Sequence, residues 1–254
     1  MLYHYTTLET LLAILQNANV QGNPENYIVL RATHAYYLND SKEAKLLTEA
    51  LKICDIPENV IKTCELLNGY PYVFSLSSKE DDLNMWRGYA NNAVGVAIGF
   101  EQGSFANINK WQIKSLDEYS FVQCEYTTSE DIASKLKQSE DIQTLIKAMR
   151  NNAEIHDVTV VSRILLGMMK YKHKAFCEEE EWRIVINSGF DESYRAAANT
   201  LIPYKEFRVP LSAIKSITLG PKVDVDKTSF SIIRIFKQLG IQDLDIIPSC
   251  VPYQ

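Results

Sequence analysis

The first regular pattern along the chain is an apolar stripe. Leu8, Leu11, Leu12 and Leu15 recur at three-, four- and seven-residue spacings, the signature of one helix face. Thr6 and Glu9 stand at capping-box spacing ahead of the stripe, which predicts Thr6 as the N-cap of a helix. Residues 2–6 are short, aromatic and β-prone, and predict a strand. Further strands are predicted over residues 27–33, 72–77, 93–100, 121–126 and 182–186, near Phe207 and Ile217, and over 244–247. Two glycines inside residues 93–100, Gly95 and Gly99, predict the close approach of another backbone. Helices are predicted from Ser41 to about Cys54, after Pro57, and over residues 229–239, with a short helix or turn over 81–89. Residues 129–174 predict two long helices, with Ile142, Leu145, Ile146 and Met149 on one face and Val160, Ile164 and Met168 on another. Strands and helices alternate in no strict order, so the fold class is α+β. A single domain over residues 1–254 is expected, with 129–174 as a helical insertion within it.

One stretch breaks the pattern of its surroundings. Residues 177–186 read CEEEEWRIVI, four glutamates leading an aliphatic strand. Side chains alternate faces along an extended strand. Counted from Glu178, that alternation puts Glu180, Trp182, Ile184 and Ile186 on a packing face, and Glu179, Glu181, Arg183 and Val185 on the other. Two carboxylates and a guanidinium would then project together. The bland alternative is that all four glutamates are solvated residues leading into the strand, as most charge runs are.

Composition narrows the chemistry mainly by exclusion. Hydrophobic residues make up 46% and charged residues 23% of 254, the balance of a globular protein with a substantial core. No apolar run is long enough to span a bilayer, no secretory signal is visible, and a cytoplasmic location is expected. A net charge of -6 gives no overall attraction to membranes or to nucleic acid in a non-specific way. Cys54, Cys64, Cys124, Cys177 and Cys250 are odd in number, scattered and without a C-x-x-C pair, which speaks against a disulfide framework or a structural zinc site. His173 and Cys177 lie four apart but lack second partners for a metal. No G-x-S-x-G, G-x-G-x-x-G or Walker A sequence is present, which removes support for serine-hydrolase, dinucleotide-binding Rossmann and P-loop readings.

The remaining polar candidates cluster at strand ends. His4 and Thr6 share one face of the first strand, with Tyr3 and Tyr5 on the other. A lone histidine near a terminus is more often structural than catalytic. Tyr36 and Tyr37 follow the second strand, ahead of Asn39 and Asp40, in a loop suited either to a site or to simple aromatic packing before a turn. Ser75, Ser77 and Ser78 offer hydroxyls at the end of the third strand.

Taken together, LYHYTTLETLLAIL, YLNDSKEA, DDLNMWRGYANNAVGVAIGF, KAFCEEEEWRIVI and ITLGP resemble the bacterial family of domain of unknown function 2971, from residue 2 to about 221. The specific elements are Asn39-Asp40-x-x-Glu43, Trp86-x-x-Tyr89 and Glu179-x-Glu181-Trp182-Arg183. Members often carry lysine where this chain has His4, so the resemblance assigns that position no fixed catalytic role. A more distant likeness, to the ADP-ribosyltransferase superfamily, lies in the order of four short matches: His4-Tyr5-Thr6, Tyr36/Tyr37, Phe74-Ser75-Leu76-Ser77 and Glu179-x-Glu181.

That likeness implies mixed, mainly antiparallel sheets around an ADP-ribosyltransferase-like core, with NAD as substrate and no metal. Glu181 would stabilise an oxocarbenium-like ribose, with Glu179 orienting the acceptor or taking its proton. His4 or Thr6 would bind the adenine-side ribose, with Tyr5 beside them, and Ser75 and Ser77 would complete the binding strand. Tyr36 or Tyr37 would stack on nicotinamide. Arg183 would bind phosphate or pair with Glu181. The expected reaction is ADP-ribosyl transfer or NAD hydrolysis, acting in bacterial conflict or phage defence, with an unknown macromolecular acceptor. Two alternatives belong to other classes. A non-catalytic sensor or effector would bind a nucleotide or a partner protein, with Glu179, Glu181 and Arg183 as a structural ion-pair ladder. A metal-dependent nuclease would use Asp40, Glu43 and Glu181.

Overall fold

Aromatic and β-branched runs separated by polar turns build a large sheet in the computed structural model. It describes residues 1–18, 26–38, 46, 49–56, 58, 71–105, 119–140, 143–144, 147, 169–186, 192–197 and 199–253. In chain order the elements are β1 (Leu2–Thr6), α1 (Leu8–Gln16), β2 (Tyr27–His34), β3 (Tyr72–Ser77), α2 (Leu83–Tyr89), β4 (Val96–Phe100), β5 (Tyr119–Gln123) and β6 (Glu125–Thr127). They continue with α3 (Ser129–Lys137), β7 (Tyr171–His173), β8 (Glu181–Ile186), β9 (Ser193–Ala197), β10 (Thr200–Pro210), β11 (Ile214–Leu219), α4 (Val225–Gln238) and β12 (Asp245–Pro248). The fold is α+β, as the mixed order of elements predicts. The sheet runs β12-β11-β4-β1-β3-β2-β10-β9, with β8 on β3 and β5 beyond β8. Every ladder in it is antiparallel except β11 with β12.

The pairing around β3 opens a gap in the sheet. One edge of β3 is covered along its length by β8, from Tyr72↔Ile186 to Ser77↔Glu181. The other edge is divided. β2 holds its start through Thr33↔Val73 and His34↔Tyr72, and β1 holds its end through Tyr3↔Ser77. Phe74, Ser75 and Leu76 have no ladder partner on that edge among the described pairings, so β1 and β2 fork apart there. The Ser75 carbonyl, left without a backbone donor, is met instead by His4 Nδ1 at 3.0 Å.

The main core lies on one face of the sheet. Leu30, Phe74, Ile98, Ile184, Ile186 and Phe207 are buried there under α1 and α4, which contribute Leu11, Leu15, Ile232 and Phe236. On α1 the buried side chains are Leu11, Ile14 and Leu15, while Leu12 is exposed. Leu8, Leu11 and Leu15 of the predicted stripe therefore pack inward, and Ile14 takes the place of Leu12. The cap is Thr7, not Thr6: its hydroxyl accepts from Thr10 N at 3.1 Å, and Thr6 ends β1 as a buried strand residue. A second cluster on the far side joins Ile132, Ala133 and Met169 to Val73 and Val185.

Three other expectations change. Residues 121–126 divide into β5 and β6. The predicted helical stretch 129–174 ends before β7, which pairs in parallel with β6 from Glu125↔Tyr171 to Thr127↔His173. Of that stretch α3 is described, and Ile142, Leu145, Ile146, Met149, Val160, Ile164 and Met168 lie outside the described residues. So do Asn39, Asp40, Ser41 and Glu43. The hairpin strand β9 is an addition that no periodicity predicted.

Gly95 meets its expectation. A Cβ there would overlap the Thr6 carbonyl oxygen and come within 2.9 Å of that of Ala90. At Gly99 the obstacle is instead the Ser216 hydroxyl and the Tyr3 ring, which are side chains. Gly95→Ala is therefore expected to destabilise the protein by about 1–3 kcal/mol, because backbone cannot rotate away as a side chain can. A urea midpoint unchanged from wild type would contradict the close approach.

Candidate functional site

The fork between β1 and β2 holds a cavity of about 200 Å³. Because the fork is a gap in the sheet, residues of both faces line it: Tyr3, His4 and Tyr5 from β1, Arg31 and Thr33 from β2, and Phe74 and Ser75 from the unpaired edge of β3. Tyr37 and Tyr89 add aromatic surface, Arg195 comes from β9, and Lys172, Glu179, Glu181 and Arg183 contribute charge.

The charged wall begins where the chain enters β8. Glu178 and Glu179 do not extend the strand; residues Lys174–Glu179 form a 3-10 turn closed by Glu180 in the left-handed region at φ 43. For a residue with a Cβ that conformation costs about 1–2 kcal/mol. Two serines at the end of β3 hold the corner. Ser77 Oγ donates to Glu179 O at 2.7 Å, Ser78 N donates to Glu180 O at 3.2 Å, and the Ser78 hydroxyl donates to the Glu180 carboxylate. The corner turns Glu179 toward the cavity from outside the strand. The expected three-member strand ladder is thus corrected: only Glu181 and Arg183 share a β8 face, and Glu179 joins them through the turn.

Glu181 and Arg183 are the deepest members. Arg183 is 1% exposed and grips Glu181 in a fork, Nε to Oε1 at 2.8 Å and Nη2 to Oε2 at 2.9 Å, while Nη1 donates to Met169 O at 2.9 Å. Lys172 on β7, also buried, donates to Glu181 Oε2 at 2.7 Å and to Glu179 Oε2 at 2.6 Å. Tyr89 OH donates to Glu179 Oε1 at 2.9 Å. Burial alone would raise the Glu181 carboxyl; the charges of Arg183 and Lys172 overcome it and hold the group at about 2. Lys172 thus bridges the two carboxylates with one terminal nitrogen.

The opposite face of β8 packs as alternation predicts. Trp182, Ile184 and Ile186 join the main core, with Trp182 against Phe121 at 5.1 Å. The Trp86-x-x-Tyr89 pair divides its labour across α2. Trp86 is fully buried and its indole N–H donates to Asp81 at 2.6 Å, which fixes the helix while Tyr89, a turn later, reaches Glu179.

On the other wall, the His4 ring stacks on Phe74 at 4.4 Å. Because a carbonyl only accepts, Nδ1 carries the proton toward Ser75 O, leaving Nε2 as the acceptor of the neutral ring. Burial pushes the His4 pKa down, against the Ser75 bond, so the ring is neutral at pH 7. The Tyr5 hydroxyl is spent structurally, donating to Lys79 O at 3.0 Å and accepting from Asp82 N at 3.1 Å at the start of α2.

Of the residues singled out in the sequence, His4, Tyr5, Tyr37, Ser75, Glu179, Glu181 and Arg183 line the cavity, and Thr6, Tyr36 and Ser77 do not. Tyr36 is 67% exposed and meets Tyr37 edge-on, and Ser77 is buried against the Glu179 carbonyl. Lys172, Arg31, Thr33 and Arg195 are additions. Lys172 gave no signal because residues 129–174 read as helix, where its strand neighbours could not be inferred.

Among the described residues, no group of three or more His, Cys, Asp or Glu is placed to hold a metal ion. His173 Nδ1 instead caps its own turn, accepting from Ala175 N at 3.2 Å. No helix among the described residues is long and apolar enough to cross a membrane. No curated protein and no solved structure matches the chain. Residues 85–184, the stretch carrying Tyr89, Lys172, Glu179, Glu181 and Arg183 into the cavity wall, match the family described as Protein of unknown function (DUF2971), and the resemblance read from the motifs stands there.

Proposed function

We propose that the cavity binds NAD or a related nucleotide and cleaves the bond between base and ribose, as an ADP-ribosyltransferase or NAD glycohydrolase does. The observation that carries the reading is the Glu179–Glu181 pair, held by Lys172 at the wall of an aromatic cavity in a forked sheet. Breaking the bond from ribose C1′ to the nicotinamide nitrogen sends its electron pair to the ring, which leaves neutral. The ribose passes through an oxocarbenium-like state that a nearby carboxylate stabilises. An acceptor oxygen or nitrogen, or water, then bonds to C1′ and surrenders its proton to that carboxylate.

Glu179 suits this role better than Glu181. Both Glu181 oxygens face Arg183 and one also faces Lys172, at 6% side-chain exposure, whereas Glu179 is 15% exposed and meets a neutral phenol on one oxygen. Glu181 is then the positioning residue that fixes Lys172, and through it Glu179. The neutral His4 ring accepts a ribose hydroxyl, and Tyr37 faces the nicotinamide.

Incubating the protein with NAD and a panel of acceptors, then following nicotinamide release by mass spectrometry, tests the reading. Absence of both binding and turnover would overturn it. A second reading, a sensor or effector that binds the nucleotide without cleaving it, draws on the saturation of Glu181 by two cations. It expects a ligand-dependent rise in melting temperature with no product.

A further inference from the structure

We propose that Arg31 and Arg195 form a phosphate-binding end of the same cavity, so that its ligand is selected by a phosphate or diphosphate group; this rests on the nucleotide reading above. The cavity is lined by four cations, Arg31, Lys172, Arg183 and Arg195, but only two carboxylates, within a chain whose net charge is -6. The carboxylates Glu179 and Glu181 are already matched by Lys172 and Arg183. The remaining positive charge of the lining therefore sits on Arg31 and Arg195, on the wall made by β2 and β9.

Arg31 and Thr33 leave β2 on one face, two residues apart. Arg195 reaches them from β9, with Nη2 at 3.4 Å from Thr33 Oγ1, its one hydrogen bond among the described residues. Arg31 uses Nε on Glu206 Oε1 at 3.2 Å and lies over the Tyr204 ring at 4.7 Å. That contact steers its guanidinium plane and leaves both terminal nitrogens without an acceptor among the described residues. The Arg31–Glu206 pair is exposed at 42% and 45%, a weak contact that engages Nε alone and leaves the terminal nitrogens for an anion. Two guanidinium groups beside a threonine hydroxyl supply the several fixed donors that phosphate oxygens accept. At the Glu179 end the same phosphate would meet like charge. The wall thus orients a nucleotide, with phosphate toward β2 and β9 and its ribose toward the glutamates.

Isothermal titration of the full-length protein with ADP-ribose, inorganic pyrophosphate and adenosine tests this. ADP-ribose and pyrophosphate are expected to bind, adenosine at least tenfold more weakly than ADP-ribose, and added sodium chloride to weaken the anions alone. Arg195→Gln, at an exposed position, is expected to fold normally and to lose about tenfold in ADP-ribose affinity, the effect of one charge-assisted contact. Arg31→Gln is expected to act in the same direction. Wild-type affinity for ADP-ribose in both variants, equal binding of adenosine, or no binding of any probe would overturn the proposal. Arginine-dependent binding of ADP-ribose without NAD turnover keeps the phosphate end and removes the cleavage reading. Turnover of NAD with an unchanged KM in Arg195→Gln does the reverse.

Discussion

Arg183→Met is expected to destabilise the protein by about 3–5 kcal/mol, the cost of removing one partner from a buried ion pair. The variant leaves the Glu181 carboxylate with Lys172 as its remaining cation, and deprives Met169 O of its guanidinium donor. Methionine fits the volume of the arginine stem, so the loss measures charge rather than a cavity. The urea midpoint should fall with the slope unchanged. Adding Glu181→Gln to the same chain should recover part of the loss, since the unpaired charge then disappears. A change below about 1 kcal/mol would mean that the cluster is hydrated like a surface pair.

The same contacts set an acid dependence. The Glu181 carboxyl is held at about 2 in the fold against 4.5 without it. A depressed carboxyl stabilises the fold fully above its unfolded value. That stability drains away as pH falls from about 4.5 toward 2, and amounts to about 3 kcal/mol. Urea midpoints measured across this window should show the slope in wild type and a flatter line in Glu181→Gln.

Glu179→Gln is expected to lower nicotinamide release by about 10²–10⁴-fold, the usual range for a lost acid–base group. With its single oxygen accepting from Lys172, the amide NH2 can donate to the Tyr89 hydroxyl, which reverses that bond, so the melting temperature should stay near that of wild type. Glu181→Gln removes the charge that Arg183 and Lys172 both face, and is expected to lower activity together with stability. Comparing the two variants at matched folded fractions separates the roles. Full activity in Glu179→Gln, with none in a stably folded Glu181→Gln, would return the reacting carboxylate to Glu181.

Much of the architecture is legible one element at a time. The alternation in residues 72–77 and 182–186 predicts β3 and the two faces of β8, and Trp182, Ile184 and Ile186 are where alternation puts them. Helical spacing predicts α1, although its cap moves from Thr6 to Thr7 because Thr6 completes the β1–β4 ladder opposite Val96. The two errors that matter for the site share a cause. Alternation puts Glu179 on a strand face because it carries no signal for the left-handed turn at Glu180 that interrupts it. Lys172 reads as helical because a three-residue strand such as β7 has too few positions to show a period.

What neighbouring residues settle is readable without the fold: the types of elements long enough to show a period, the packing face of β8, the Glu181–Arg183 spacing that lets one strand face form an ion pair, and the family motifs, of which those over residues 85–184 match. Only the tertiary structure decided that β1 and β2 share one edge of β3 and fork from it, that Lys172 joins Glu179 to Glu181, and that Arg31 and Arg195 meet at Thr33. Those are pairings between strands far apart along the chain. Strand period fixes which face a side chain takes, but not which strand will lie beside it.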